Sequence, residues 1–200
     1  MLSFSSFFFS FQEGDLSNGD LSIGRHFGLI KVSDLILLNS KGEPVGGNTK
    51  QPANAAGFQI HGHIHSHYPH VNAACHTHSV NGRAWSSFGR RLEMLNQDVC
   101  NFYGDAQGVY NECGGVVLDA REGKRLAASL GPKGKGLILR NHGLLTVGQT
   151  VDEAAYLFTL LEASCEAQLR ADAAAANGLE KTIIDDEAAA FTFRMTSDPV

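Results

Sequence analysis

The sequence predicts a layered α/β domain built on a mixed or largely antiparallel sheet. Apolar strand-like segments alternate with helical ones, yet several strands are short or adjacent with no crossover helix between them. A parallel, doubly wound sheet needs such crossovers. Neither Gly-x-Gly-x-x-Gly nor Gly-x-x-x-x-Gly-Lys-Ser/Thr is present, so dinucleotide and P-loop readings have no motif support. The 200 residues, 43% apolar and 18% charged, suit one sizeable core.

The elements follow in order. Residues 1–25 are rich in Ser, Phe and Gly without a sustained period; they read as an atypical, loosely attached segment ahead of a domain over 26–200. The opening MLSFSSFFFSF lacks a basic n-region and is too short to span a bilayer. GLIKVSDLILLN reads as two strands with a short break, closed by a turn at Ser40, Lys41 and Gly42. Residues 43–55, rich in Gly, Pro and Asn, read as a loop. Asn54 is placed to cap a helix over about 55–68, which Pro69 ends. VNAACHTH is a strand, Val80 to Phe88 a short helix, and Gly89 its stop.

Residues 90–115 are mixed, with short elements near LEMLNQDV and an exposed turn at Tyr103, Gly104 and Asp105. GGVVLD is a short strand, and Glu122 to Leu130 a helix ended by Gly131. GLILRNHGLLTVG is an apolar strand broken at His142-Gly143. VDEAAYLFTLLEASCEAQLRADAAAA is the clearest helix, rich in Ala, Leu and Glu, with a period of about 3.6. The tail from Asn177 is a loop and one short helix.

A net charge of -5 and the absence of a Lys/Arg cluster argue against nucleic acid and anionic membrane as partners. Cys75, Cys100, Cys113 and Cys165 form no C-x-x-C pair. They read as small buried groups in a reducing, cytoplasmic compartment.

Chemistry concentrates in the nine histidines, most of which lie between His61 and His78. In CHTHS, His76 and His78 are two apart on a strand, so their side chains leave one face and can reach one ion. In RNHGLL, His142 interrupts an apolar run, where an imidazole is costly unless satisfied, and Gly143 permits a close approach. Three histidines with open positions suit catalytic zinc; imidazole suits iron and other divalent metals as well. Hydrogen-bonded core histidines are the alternative from spacing alone. In HGHIHSH, His61 and His65 share one helix face, and His63 and His67 another.

The stretches FQIHGHIHSHYPHVNAACHTHS and LILRNHGLLTVGQTVDEAAYLFTLLE resemble the class II aldolase/adducin family, over about Phe27 to Asp172. The resemblance implies a three-layer α/β/α sandwich and metal ligation by His76, His78 and His142. It implies a homo-oligomer, usually a tetramer, with sites at subunit interfaces. Family enzymes act on small hydroxy-carbonyl compounds, and the metal stabilises developing enediolate charge. Zn2+ is the expected ion, with Fe2+ or another divalent metal as alternatives.

Three departures matter. Where the aldolases carry an acid/base glutamate four residues before the histidine matched by His61, this chain has Gly57. His61, His65, Asp98, Tyr103 and Asp105 are the candidates to replace it; the last three also read as ordinary loop or cap residues. NAAG at 54–57 occupies a serine segment of the phosphate-binding aldolases, and LSNGDLSIG is a weak echo of their early Gly-Asn-x-Ser/Thr strand. These differences allow a domain lacking the family's first helix and strand. The expected function is a metal-dependent aldolase-type lyase. The alternatives are a related epimerase or dehydratase, iron-dependent oxidative cleavage, and a non-catalytic, adducin-like oligomerisation or interaction domain, a cytoskeletal partner being the lesser expectation.

Overall fold

The computed structural model describes residues 7–13, 16–17, 19–21, 31–112 and 120–197. Its centre is a six-stranded sheet in the order β2-β1-β6-β9-β8-β7. The strands are β1 (Phe7–Glu13), β2 (Leu16–Ser17), β6 (Ala73–Thr77), β7 (Gln107–Tyr110), β8 (Gly136–Leu139) and β9 (Gly143–Gly148). Only β7 and β8 pair in parallel; the other neighbours are antiparallel. A smaller antiparallel sheet joins β3 (Gly19–Leu21), β4 (Leu35–Leu38) and β5 (Pro44–Gly47).

Strand alternation divides the apolar side chains between two layers. Ala74, Leu137, Leu139, Leu145 and Val147 pack with Ile60, Ile64, Leu126, Ala127 and Leu130. These partners come from α1 (Ala55–His67) and α3 (Ala120–Leu130). Ala73, Cys75, Ile138 and Leu144 pack with Trp85, Leu157, Phe158, Leu161 and Cys165 on the other side. That layer is made by α2 (Val80–Ser86) and α4 (Val151–Ala175). The architecture is the three-layer α/β/α sandwich with a mixed, largely antiparallel sheet.

Local chemistry explains the ends of the elements. Asn54 caps α1, accepting from the amides of Ala56 and Gly57 at 3.1 Å each. Thr150 caps α4 by accepting from Glu153 N–H at 3.1 Å. The positive φ values of Gly89 and Gly131 mark the stops after α2 and α3. The tail folds as α5 (Asp186–Ser197), with Ser197 Oγ donating to Asn101 Oδ1 at 2.7 Å.

The structure differs from the sequence reading in four places. The segment treated as loosely attached contributes strands, with β1 laid against β6 in the register Phe8↔His76 and Phe11↔Ala73. Within the first expected strand, Val32–Asp34 is a 3-10 turn; 28–30 lie outside the described residues. Residues 44–47, read as loop, form β5, because Asn39 Oδ1 accepts from the amides of Lys41 and Glu43 and closes a β4–β5 hairpin. The interrupted strand 136–148 is a hairpin: Leu139 pairs with Gly143, and Asn141 takes φ 57° in the turn. The GGVVLD strand lies outside the described residues. No helix among them is long and apolar enough to cross a membrane.

Leu161 is fully buried, whereas Tyr156 on the same helix is 58% exposed. Leu161→Ala is expected to cost about 2–5 kcal/mol in chemical denaturation, and Tyr156→Ala to stay within about 0.5 kcal/mol.

Candidate metal centre

β6 and β9 bring the site together. Thr77 pairs with Leu144 and His76 with Leu145, so the end of β6 lies beside the turn that carries His142. Gly143 is needed there: a Cβ on it would stand 2.2 Å from the carbonyl oxygen of Thr77 and 3.4 Å from Cα of His78. The ring centroids are 4.8 Å apart for His76–His142, 4.6 Å for His78–His142 and 5.2 Å for His76–His78. One nitrogen from each ring lies within 4.8 Å of the other two. A point central to such a triangle is at most about 2.8 Å from each corner, so modest inward adjustment reaches the roughly 2.0–2.1 Å of a zinc–imidazole bond.

The protonation states suit ligation. His76 Nδ1 lies 2.9 Å from the carbonyl oxygen of Leu144. A carbonyl only accepts, so Nδ1 carries the proton and Nε2 holds the ring's lone pair. Burial, then the neighbouring His142, His61 and His78, hold His76 well below the usual histidine range. Burial and then Arg83 lower His78; burial and then His78 lower His142 to about 4. All three rings are neutral near pH 7, as metal ligands must be. His78 Nε2 is buried with no hydrogen-bond partner among the described residues. Such a nitrogen is costly unless something occupies its lone pair, and a cation fits it. No carboxylate joins the triad among the described residues.

The proton-carrier candidates divide into two groups. His61 is buried, with its ring centroid 6.4 Å from that of His76. Burial, then His65, lowers it to about 3. His65, one turn further on, is held by its Nδ1 on the carbonyl of Val71 at 2.9 Å. Asp98 opens and Tyr103 follows the 3-10 turn Asp98–Phe102, which leads into the Gln107 end of β7. That end pairs with Gly136, away from the Leu139–Gly143 turn that carries His142. Tyr103 faces Asp186 of α5; burial, then the bond to that carboxylate, raises its hydroxyl. Asp105 is exposed nearby. Within one chain these three are not brought to the triad. His63 faces α3, with its Nε2 3.2 Å from Gln59 Oε1. Cys75, Cys100 and Cys165 are buried free thiols; Cys113 lies outside the described residues.

The sequence reading missed Glu162. It stands in the buried stripe of α4 and accepts hydrogen bonds from the chain just past His78. A glutamate among apolar residues on an otherwise regular helix face was the available signal.

Fold and site together define an α/β protein with a three-histidine centre suited to a divalent cation. The family model of the class II aldolase and adducin N-terminal domain matches residues 22–169, and the chain belongs to that family. It is 45% identical over 157 residues to the meiotically up-regulated gene 14 protein of Schizosaccharomyces pombe, covering 78% of this chain and 60% of that protein. It is 44% identical over 149 residues to a 4-hydroxy-3-prenylphenylpyruvate oxygenase/4-hydroxy-3-prenylbenzoate synthase of Streptomyces roseochromogenus subsp. oscitans, covering 74% of this chain and 52% of that protein. The chain thus spans between half and three-fifths of these curated relatives. The solved L-fuculose 1-phosphate aldolase from Glaciozyma antarctica PI12 superposes with a TM-score of 0.83 at 38% identity, over 96% of this chain and 73% of that one.

Two outcomes are expected. Elemental analysis should find near-stoichiometric divalent metal in the wild type and none in a folded His76→Ala/His78→Ala double variant. Further, burial holds His61 at about 3 and His142 at about 4 in the folded chain, below the ordinary histidine range. The unfolded chain therefore takes up protons first as pH falls. The metal-free protein should hold its stability above about pH 6.5 and lose it progressively down to about pH 3, followed as Tm.

Proposed function

We propose that the chain is a divalent-metal-dependent lyase acting on a small hydroxy-carbonyl compound at the triad of His76, His78 and His142. The observation that carries this reading is the convergence of three neutral imidazoles, one with a buried nitrogen that has no hydrogen-bond partner among the described residues, at one end of the sheet. Bound there, a divalent cation would supply a Lewis acid for a carbonyl and an adjacent hydroxyl oxygen, stabilising negative charge as a carbon–carbon bond breaks. The chain's own residues orient and protect that centre. Leu144 O holds His76 in one tautomer, and Gly143 keeps β9 close enough for His142 to join. The ligands are uncharged, so they leave the cation's charge undiminished.

Proton transfer needs a group other than Gly57. The candidate supported by proximity is His61, whose ring centroid lies 6.4 Å from that of His76. With its folded pKa at about 3 it stays a neutral imidazole, suited to hold a hydroxyl or water by a hydrogen bond and unsuited to store a proton. His65 would then support His61 from the next turn. Asp98 or Tyr103 would reach the reaction only from a second copy of the chain, in keeping with a homo-oligomer whose sites lie between subunits. Zn2+ is the proposed ion, and the three buried free thiols accord with a reducing cytoplasm.

A second reading, oxidative cleavage with Fe2+ in the same triad, is favoured by the oxygenase named among the relatives at 44% identity. Metal-stripped protein reconstituted separately with Zn2+ and Fe2+, and assayed on aldol-type and 2-keto-acid substrates, separates the two. Zinc-supported turnover without oxygen is expected, and His78→Ala should lower metal affinity by more than about 100-fold, beyond the loss typical of outer partners. Turnover only with iron, at the cost of dissolved oxygen, selects the second reading. Protein that binds neither ion would point to an adducin-like interaction domain.

A further inference from the structure

We propose that Glu162 is a positioning residue for the metal centre, anchoring from α4 the turn that carries His78. The proposal rests on the three-histidine reading of the site. His78 is followed at once by Ser79, which stands at the N-cap of α2 yet makes no capping bond to its own helix. Ser79 Oγ donates instead to Glu162 Oε2 at 2.5 Å. The same carboxylate accepts from Asn81 N–H at 2.9 Å and Gly82 N–H at 2.8 Å. The cap of α2 is thus supplied by a residue some 80 positions away in the chain.

Glu162 is only 5% exposed. A buried carboxylate is costly unless donors meet it; here three do, at the positive end of a helix. Most acidic side chains on a helix face water and anchor nothing. This one lies in the apolar stripe of α4, between Leu161 and Cys165.

The anchor bears on two ligands. It fixes Ser79, next to His78, and draws the first turn of α2 against β9. A Cβ on Gly82 would stand 2.6 Å from Leu144 Cγ and 2.6 Å from Ser79 Oγ, so α2 sits as close as a glycine permits. Leu144 is the residue whose carbonyl orients His76. One carboxylate on α4 therefore sets the backbone of one ligand and braces the residue that holds the tautomer of another. The three ligand nitrogens converge only while β6, β9 and the start of α2 keep this relation.

The test compares Glu162→Gln, which keeps the size but removes the charge and one acceptor, with Leu130→Ala, which empties a buried site in the opposite layer. Zn2+ affinity is measured by competition with a chromophoric chelator, and the His78 ring nitrogens are followed by NMR in the metal-free protein. Glu162→Gln should lower affinity tenfold to hundredfold, the range of outer-shell partners, and shift the His78 ring signals. Leu130→Ala should keep affinity within about twofold, as distant sites do, although it unfolds earlier. Where Glu162→Gln does not fold, Ser79→Ala removes one donor and carries the same expectations. Affinity in the glutamine variant within about twofold of wild type, or an equal loss in Leu130→Ala, overturns the proposal. If the wild type binds neither Zn2+ nor Fe2+, the metal reading itself fails. The His78 signals then decide the positioning role: shifted signals uphold it and unchanged signals overturn it.

Discussion

The antiparallel pairing of β6 with β9 is the constraint on which the rest of the site depends. His76 and His78 belong to one strand end and His142 to the turn entering the other, so their meeting is a matter of register. A slip of one residue would move every side chain of the strand to the other face. His76 would then point into the layer of α2 and α4, and the triad would dissolve. The register is held by apolar alternation: Ala73 and Cys75 face one layer, and Ala74 the other. Exchanging them would bury the wrong set. The three-histidine cluster therefore inherits its geometry from hydrophobic packing, which is set wherever both faces of a sheet are covered.

That inheritance has an energetic counterpart. Each imidazole in the triad is drawn from water, and burial is the first cause of its lowered proton affinity. Without a ligand, His78 leaves a buried nitrogen without a hydrogen-bond partner among the described residues, at a cost of about 1–3 kcal/mol. Metal binding would offset that cost and require no proton release near neutral pH, because the rings are already neutral. Folding thus prepares the site by removing a competitor, the proton, before any ion arrives. The same burial makes His61 a poor proton store, so the environment that favours ligation weighs against histidine acid/base chemistry in the same pocket.

Much of this was legible in the sequence because it is encoded locally. The spacing of His76 and His78 on a strand, Asn54 before α1 and the Ala/Leu/Glu stripe of α4 are all short-range patterns. The family resemblance then joined His142 to the first pair. What was missed is long-range. β5 is a glycine-containing strand with no apolar alternation, and it exists because Asn39 folds the chain back onto β4. The N-terminal Phe/Ser run has no period, yet it pairs residue by residue with β6. The break at His142-Gly143 could be seen, but not that the chain reverses there, since turn residues alone do not state which strands they join. Ser79 shows the limit most clearly. It is a suitable N-cap by residue type, yet the structure gives the capping task to Glu162; the apolar stripe of α4 could flag that glutamate, but no local rule could name its partner.

On the family resemblance, Gly57 stands where an acid/base glutamate is expected, and this arrangement of charge accords with its absence. Gly57 lies buried in the first turn of α1, its amide satisfied by Asn54. Among the described residues no carboxylate stands with the three histidines. Glu162, a buried carboxylate that reaches the chain just past His78, is met by three donors and turned to the start of α2. An ion held by three neutral rings keeps its double charge in a poorly solvated setting, where Coulomb attraction for an anionic oxygen is strongest. A carboxylate at position 57 would compete for that charge. Without one, the compensating negative charge would come from what binds, and on the function proposed above a hydroxy-carbonyl compound that develops an oxyanion as it reacts would meet that requirement in its transition state more than in its ground state.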